Sequence, residues 1–478
     1  MTNLSAFIKT IRNTMRQDRW VNGDAQRIEQ LGWMLFLKIF DDQEQELEAV
    51  RNDYISPIPK ELKWRSWASF DEWLTGEALL DFVNNQLFQT LRNLTIAEWD
   101  IRASLVQHVF AENNNYMKSG VYLRQICNLI NSIDFTTTSD RHVFWDIYEN
   151  ILRELQSAGS AWEFYTPRAV TEFMTEMIDP KLWESIMDPA CGTGGFLVNT
   201  IEHIRRAWSI NTVEDIETLN KTIQGTEYKP LPYMLAVTNL ILHWVESPAI
   251  KYDDSLAVTY HDIKRSQEVD VILANPPFWW MVAHGNEKNF PETYRTKESA
   301  DLFLLLFIRY LKHGGRSAIV LPDGSLTGDG VKERVRKKLL EDCNLHTIIR
   351  LPNSVFQPYA TVATNILFFE KGTPTKEVWY YEHRLPEWQK SYSKTKTIET
   401  HEFDPIKSWW NNREESEVSW RVSIDKLIDR NYDLDIKNPN KIVVEDELSS
   451  EEILAKLHES LRATDTLATE IYTLLKNK

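Results

Sequence analysis

Through residues 1 to about 155, apolar side chains recur at helical spacing, as in the segments 28–40 and 121–133, and strand-like runs are scarce. The texture changes between about 160 and 385. Short apolar runs at 184–188, 222–227, 269–275, 316–321, 346–351, 365–370 and 378–381 read as strands, and helical patterns at about 167–178, 194–207, 230–244, 299–312 and 330–340 lie between them. This alternation predicts an α/β fold, a doubly wound sheet behind an all-helical N-terminal domain. The last two strands follow each other too closely for a helix, which predicts an antiparallel hairpin at one edge. Residues 386–448 read as a polar, Trp-rich, irregular extension. Ser449-Ser-Glu-Glu452 then forms a capping-box pattern, and Ile453, Leu457, Leu461, Leu467, Ile471 and Leu474 share one helical face. The chain divides on this pattern into 1–155, 156–385, 386–448 and an amphipathic helix over 449–478.

At 478 residues the chain is long enough for about two to four domains. Hydrophobic residues at 42% and charged residues at 26% exclude a disordered or fibrous chain. The richest apolar run, 302–308, stops at Arg309, short of the roughly 20 residues of a membrane span, so no membrane association is expected. Lys9, Arg12, Arg16 and Arg19 near the N-terminus have no apolar signal core behind them. They repeat at helical spacing, as a solvated basic face or as phosphate contacts. Three cysteines are too few for a disulfide framework or a zinc site; no metal is expected, and a reducing, cytoplasmic setting is. A net charge of −16 argues against a protein that holds nucleic acid by itself, because phosphate neutralisation dominates such affinity.

Candidate chemistry begins at Asp188-Pro-Ala-Cys-Gly-Thr-Gly-Gly195, between a strand and a helix. Gly192, Gly194 and Gly195 permit a tight turn beside free N–H groups at the helix start, with Thr193 among them. The acidic Asp188 suits a ligand with positive charge and hydroxyls better than a pyrophosphate. Glu227, at the tip of the next strand, stands where a ribose diol is gripped in doubly wound sheets, although taken alone it reads first as a helix-capping acid before Lys229-Pro230. Asp254 reads as an acceptor for an adenine amino group or as part of a solvated turn. Asn275-Pro276-Pro277-Phe278 follows the strand 269–274 directly. An amide oxygen of Asn275 and the Pro276 carbonyl can accept the two hydrogens of an exocyclic amino group and localise its lone pair, with the prolines stiffening the turn. Phe278 offers a stacking face for a flipped base. Upstream, Thr166 reads as an N-cap and Pro167 as a first helical residue. The polar stretch 279–299 reads as a mobile loop placed to close over the base.

Phe164-Tyr-Thr-Pro167, Asp188 to Gly195 and Asn275 to Phe278, in that order, resemble the methyltransferases that modify adenine N6 in DNA. The likeness continues through Ala300-Asp-Leu-Phe303, 314–324 and 351–359, and resembles the modification subunit of type I restriction-modification systems over essentially the whole chain. The resemblance implies an S-adenosylmethionine-dependent methyltransferase domain of Rossmann-like form. Its cofactor site would comprise Glu163, Phe164, Tyr165, Thr166, Pro167 and Arg168, then Asp188, Gly192, Thr193, Gly194 and Gly195, then Glu227 and Asp254. Asp253 departs from the family, which often has Gly before the acid. Catalysis would rest on Asn275, Pro276, Pro277 and Phe278. The resemblance further implies double-stranded DNA as substrate, a specificity subunit shared by two modification subunits, and an endonuclease/translocase subunit in the full complex. A solitary adenine methyltransferase and a non-catalytic cofactor-binding scaffold are the alternatives. The short, irregular sequence after the sheet disfavours the first, and the intact Asn275 motif disfavours the second.

Overall fold

In the strand Val269–Ala274 (β4) successive side chains serve two different cores. Val271 and Leu273 join one apolar cluster, Ile272 and Ala274 the other. The same alternation holds in Leu311–Pro322 (β5), with Ala318 and Val320 against Ile319 and Leu321, and in Thr364–Lys371 (β7), with Ile366 and Phe368 against Leu367 and Phe369. Strands apolar on both faces must be covered on both, and that places helices on either side of the sheet.

The computed structural model describes residues 4–70, 74–97, 100–133, 166–208, 210, 212–278, 281–283, 285–357, 362–386, 388–393, 396–440, 454–455, 457–462 and 464–465. The remaining strands are Ile186–Asp188 (β1), Ile223–Glu227 (β2), Ala249–Tyr252 (β3), Cys343–Leu351 (β6), Glu377–Glu382 (β8) and Ser419–Ser423 (β9). The nine form one sheet in the order β3-β2-β1-β4-β5-β7-β6-β8-β9. The pairs from β3 across to β5 are parallel, and β7 runs antiparallel between β5 and β6. The chain steps outward from β1 to β3 and restarts on the other side at β4, so a crevice opens at the carboxyl ends of β1 and β4.

Two expectations need correction. The strands 365–370 and 378–381 do not form an edge hairpin: β7 is inserted between β5 and β6, and β8 pairs parallel to β6. β7 is apolar on both faces, which suits an interior position. The connection to β8 passes beneath β6, where the Thr375 hydroxyl donates to the Cys343 carbonyl and accepts from the Leu345 N–H. The stretch 386–448 is not irregular throughout. It contributes a helix, Asp404–Trp410, and β9, whose alternating Trp420 and Val422 are buried beside β8.

The N-terminal helices share one apolar cluster with the sheet's first face. Gly23–Val50 packs on Pro230–Leu242, the helix after β2, and a Cβ added at Gly32 would strike the Met234 thioether end. Arg51 grips Glu246 through two 2.8 Å bonds, and buried Arg102 donates to Gln43 and to the Glu246 carbonyl. Arg124, also buried, ties four carbonyls from Trp67 to Leu74. Within this part a Cβ at Gly120 would fall 1.8 Å from the Gly76 carbonyl oxygen. Gly120→Ala is therefore expected to destabilise the protein by about 1–3 kcal/mol, read as a lower urea midpoint at unchanged slope. Lys9, Arg16 and Arg19 are exposed and Arg12 half-buried. The described residues of 449–478 are helical and expose Leu454, Leu457 and Leu461. No helix among the described residues is long and apolar enough to cross a membrane.

Candidate active site

Four strand ends meet in one cleft at the crevice. β1 ends in Asp188, and the turn beyond it reverses the chain with Gly192 at φ +54° and Gly194 at φ +82°, where glycine alone is unstrained. Gly194 does not line the cleft. It lets the turn settle on the helix Pro230–Leu242, since a Cβ there would stand 3.4 Å from the Ala236 Cα. The Cys191 N–H donates to the Thr226 carbonyl, which fastens the turn to β2. At the tip of β2, Glu227 accepts from the Gly192 N–H at 2.9 Å and from the Lys229 N–H at 2.8 Å. The carboxylate thus ties the glycine turn to the residue that precedes the helix Pro230–Leu242, and it caps none of that helix's own N–H groups. β3 leads to Asp254, whose two oxygens accept from the Leu256 N–H and from Asn286 Nδ2 at 2.9 and 2.7 Å. β4 delivers Asn275.

Burial dominates the electrostatics. It raises the Asp188 carboxyl well above the usual range, against a 3.1 Å bond from the Ala190 N–H. It pushes Glu227 up to about 7, although the amides of Lys229, Gly192 and Tyr228 pull the other way. Asp188 Oδ2 is buried and has no hydrogen-bond partner among the described residues. A deep carboxyl pair of this kind suits a ligand that brings its own donors and positive charge.

Asn275 supplies the complementary feature. Its Nδ2 donates to Thr166 Oγ1 at 3.0 Å, which leaves Oδ1 buried at the cleft with no donor among the described residues. The helix Arg168–Ile178 begins one residue later than expected, with Pro167 as its N-cap. The hydroxyl of Thr166 consequently reaches across to the strand-end amide. Arg168 and Pro277 also line the cleft. Pro276 is buried, while Phe278 is half-buried and packs against both apolar clusters. Glu163, Phe164 and Tyr165 lie outside the described residues.

Sequence reasoning did not single out Asn199, Asn239 or Ser299, which also border the cleft. Asn239 donates to the Thr193 carbonyl at 3.1 Å and braces the glycine turn; its signal is a lone amide within the apolar run 231–242. The stretch 279–299, expected to be mobile, is anchored in its described part. Asn286 holds Asp254, Asn289 donates to the Leu256 and Ala257 carbonyls at 3.1 Å, and Phe290 is buried against Tyr260.

The described residues contain no cluster able to hold a metal ion. A family model for N-6 DNA methylases matches residues 139–447, and one for the HsdM N-terminal domain matches residues 4–130. The chain is 53% identical over 446 residues to the type I restriction enzyme EcoEI methylase subunit of Escherichia coli, covering 91% of this chain and 90% of that one. It is 25% identical over 382 residues to the EcoKI methylase subunit of Escherichia coli K12, covering 75% and 67%. A solved chain of a type I R-M system superposes with a TM-score of 0.83 at 34% identity, covering 100% of this chain and 99% of that one. The type I methyltransferase subunit of Streptococcus thermophilus superposes at 0.68 and 20% identity, covering 91% and 98%, and shares the fold.

Proposed function

The chain belongs to the N-6 DNA methylase family, and from that premise we propose that its cleft transfers a methyl group from S-adenosylmethionine to the N6 amino group of a flipped-out adenine in a specific DNA sequence. The observation that carries this reading is Asn275 Oδ1: a buried acceptor, fixed in direction by Thr166, at the carboxyl edge beside the glycine turn. Asp188 Oδ2, Glu227 and the amide-rich turn fit the cofactor's ammonium and ribose hydroxyls. S-adenosylmethionine supplies an electrophilic methyl on a sulfonium that leaves as a neutral thioether.

This chain's residues then do the rest. Glu227 and Asp254 would hold the cofactor's ribose and adenine edge, and Thr166 and Arg168 would take its carboxylate. Asn275 Oδ1 and the Pro276 carbonyl accept the two amino hydrogens, which localises the nitrogen lone pair and aims it. Pro277 stiffens the turn, and Phe278 offers a ring at the edge of the apolar core. We assign the chain as the modification subunit of a type I complex, two copies on one specificity subunit, joined by an endonuclease/translocase subunit for cleavage, in the cytoplasm. The net charge of −16 and the exposed Leu454, Leu457 and Leu461 support a partner that brings positive charge and a docking surface.

The test is transfer of labelled methyl to double-stranded DNA by the chain with its specificity subunit, followed by identification of the methylated base. N6-methyladenine is expected. Equal, site-specific transfer by the chain alone would overturn the subunit assignment.

Glu227 makes cofactor binding pH-dependent. Its carboxyl titrates near 7 in the free protein, and the ionised form is the better acceptor for a diol and the better neighbour for a sulfonium. Affinity for S-adenosylmethionine should fall as pH drops through 7, by up to about tenfold per unit below the midpoint. Calorimetric dissociation constants that stay flat from pH 6 to 8 would refute the linkage.

A further inference from the structure

Pro276 and Pro277 have no N–H, so neither can fasten the segment that carries the catalytic carbonyl by backbone donation. Anchors for these two residues come in part from other elements. One is Thr166, bonded to Asn275. A second is Ser299, the first residue of the helix Ser299–Tyr310, whose hydroxyl donates to the Pro277 carbonyl. Ser299 is 2% exposed and borders the cleft. The helix behind it is a firm platform, because every residue from Leu302 to Ile308 is buried.

We propose that Ser299 is a positioning residue for methyl transfer: by holding the Pro277 carbonyl it fixes the rotation of the Pro276–Pro277 segment and so the aim of the Pro276 carbonyl and the Asn275 amide oxygen. The proline rings lock φ at both positions, and the soft torsions left between Asn275 and Pro277 are the ψ angles. An anchor at each end restrains those as well. Removal of the Ser299 hydroxyl frees one end, and a misplacement on the order of 1 Å at a reacting group can cost on the order of 10²-fold in rate. The inference rests on the transfer reaction proposed above. It concerns orientation in the productive complex and not cofactor capture, since Glu227, Asp254 and the glycine turn do not depend on this bond.

The experiment compares Ser299→Ala and Ser299→Cys with the parent chain in the assembled modification complex, using DNA that carries the target site. Cysteine nearly preserves the volume but is a weak donor. Single-turnover methyl transfer should slow about 10- to 100-fold in the alanine variant and by an intermediate factor in the cysteine variant. S-adenosylmethionine affinity, DNA affinity and the thermal midpoint of the cysteine variant should stay close to the parent's. Parental rates in the alanine variant would overturn the proposal, and so would a rate loss matched by equal loss of cofactor affinity. A parent complex that methylates cytosine N4 would overturn the adenine assignment and leave any Ser299 deficit standing, so the two failures are distinguishable.

Discussion

Asn275→Ala should lower single-turnover methyl transfer by about 10²–10³-fold while cofactor affinity changes by no more than a few-fold. The amide oxygen is an acceptor buried at the cleft with no donor among the described residues, and Thr166 has already committed the amide nitrogen. Alanine removes the acceptor on which localisation of the amino lone pair depends, and it leaves the bonds of Glu227, Gly192 and Asp254 untouched. The rate and the dissociation constant should therefore separate. Asn275→Asp is the sharper companion: a carboxylate keeps two acceptors but has no N–H for Thr166 Oγ1, so the hydroxyl must become the donor and the fixed direction is lost. Undiminished transfer by the alanine variant would remove Asn275 from the mechanism.

The second large effect is expected at Glu227, with the opposite signature. Glu227→Ala should weaken S-adenosylmethionine binding by about 2–5 kcal/mol, roughly 30- to 4,000-fold, with the rate at saturating cofactor much less affected. The carboxylate accepts from two amides, Gly192 and Lys229, so its removal strips the buried Gly192 N–H of its acceptor and loosens the glycine turn along with the diol contact. Glu227→Gln gives no rescue, because one of its two terminal atoms becomes a donor facing an N–H. The part of the pH dependence of binding that the Glu227 carboxyl contributes should be lost in both variants. A glutamine variant with parental affinity would show that the carboxylate charge is not used.

The extent of the sheet legible in advance follows from what local sequence encodes. β4, β5 and β7 announce themselves as apolar runs because each is buried on both faces. β9 escaped because Ser419-Trp-Arg-Val-Ser423 has only two apolar residues, Trp420 and Val422, and reads as polar sequence. The helix Val213–Thr222 escaped as well. It carries a capping box at Thr212 and Asp215 but a weak apolar stripe. The site was legible as a set of motifs because glycine, proline and a strand-end amide or carboxylate each have a local reason for their position.

The sequence by itself therefore determined the α/β class, the strand-end placement of Asp188, Glu227 and Asn275, and the chemistry those types can perform. These depend on periodicity and turn rules that act within one or two elements. Only the tertiary structure decided that β7 lies between β5 and β6, that Thr166 abandons its capping role for Asn275, that Asn286 holds Asp254, and that Ser299 holds Pro277. A hydroxyl or an amide reads the same in sequence whether it caps its own helix or crosses to a distant strand. The choice is made by which backbone groups the packed sheet leaves without partners, and that is a property of the whole fold.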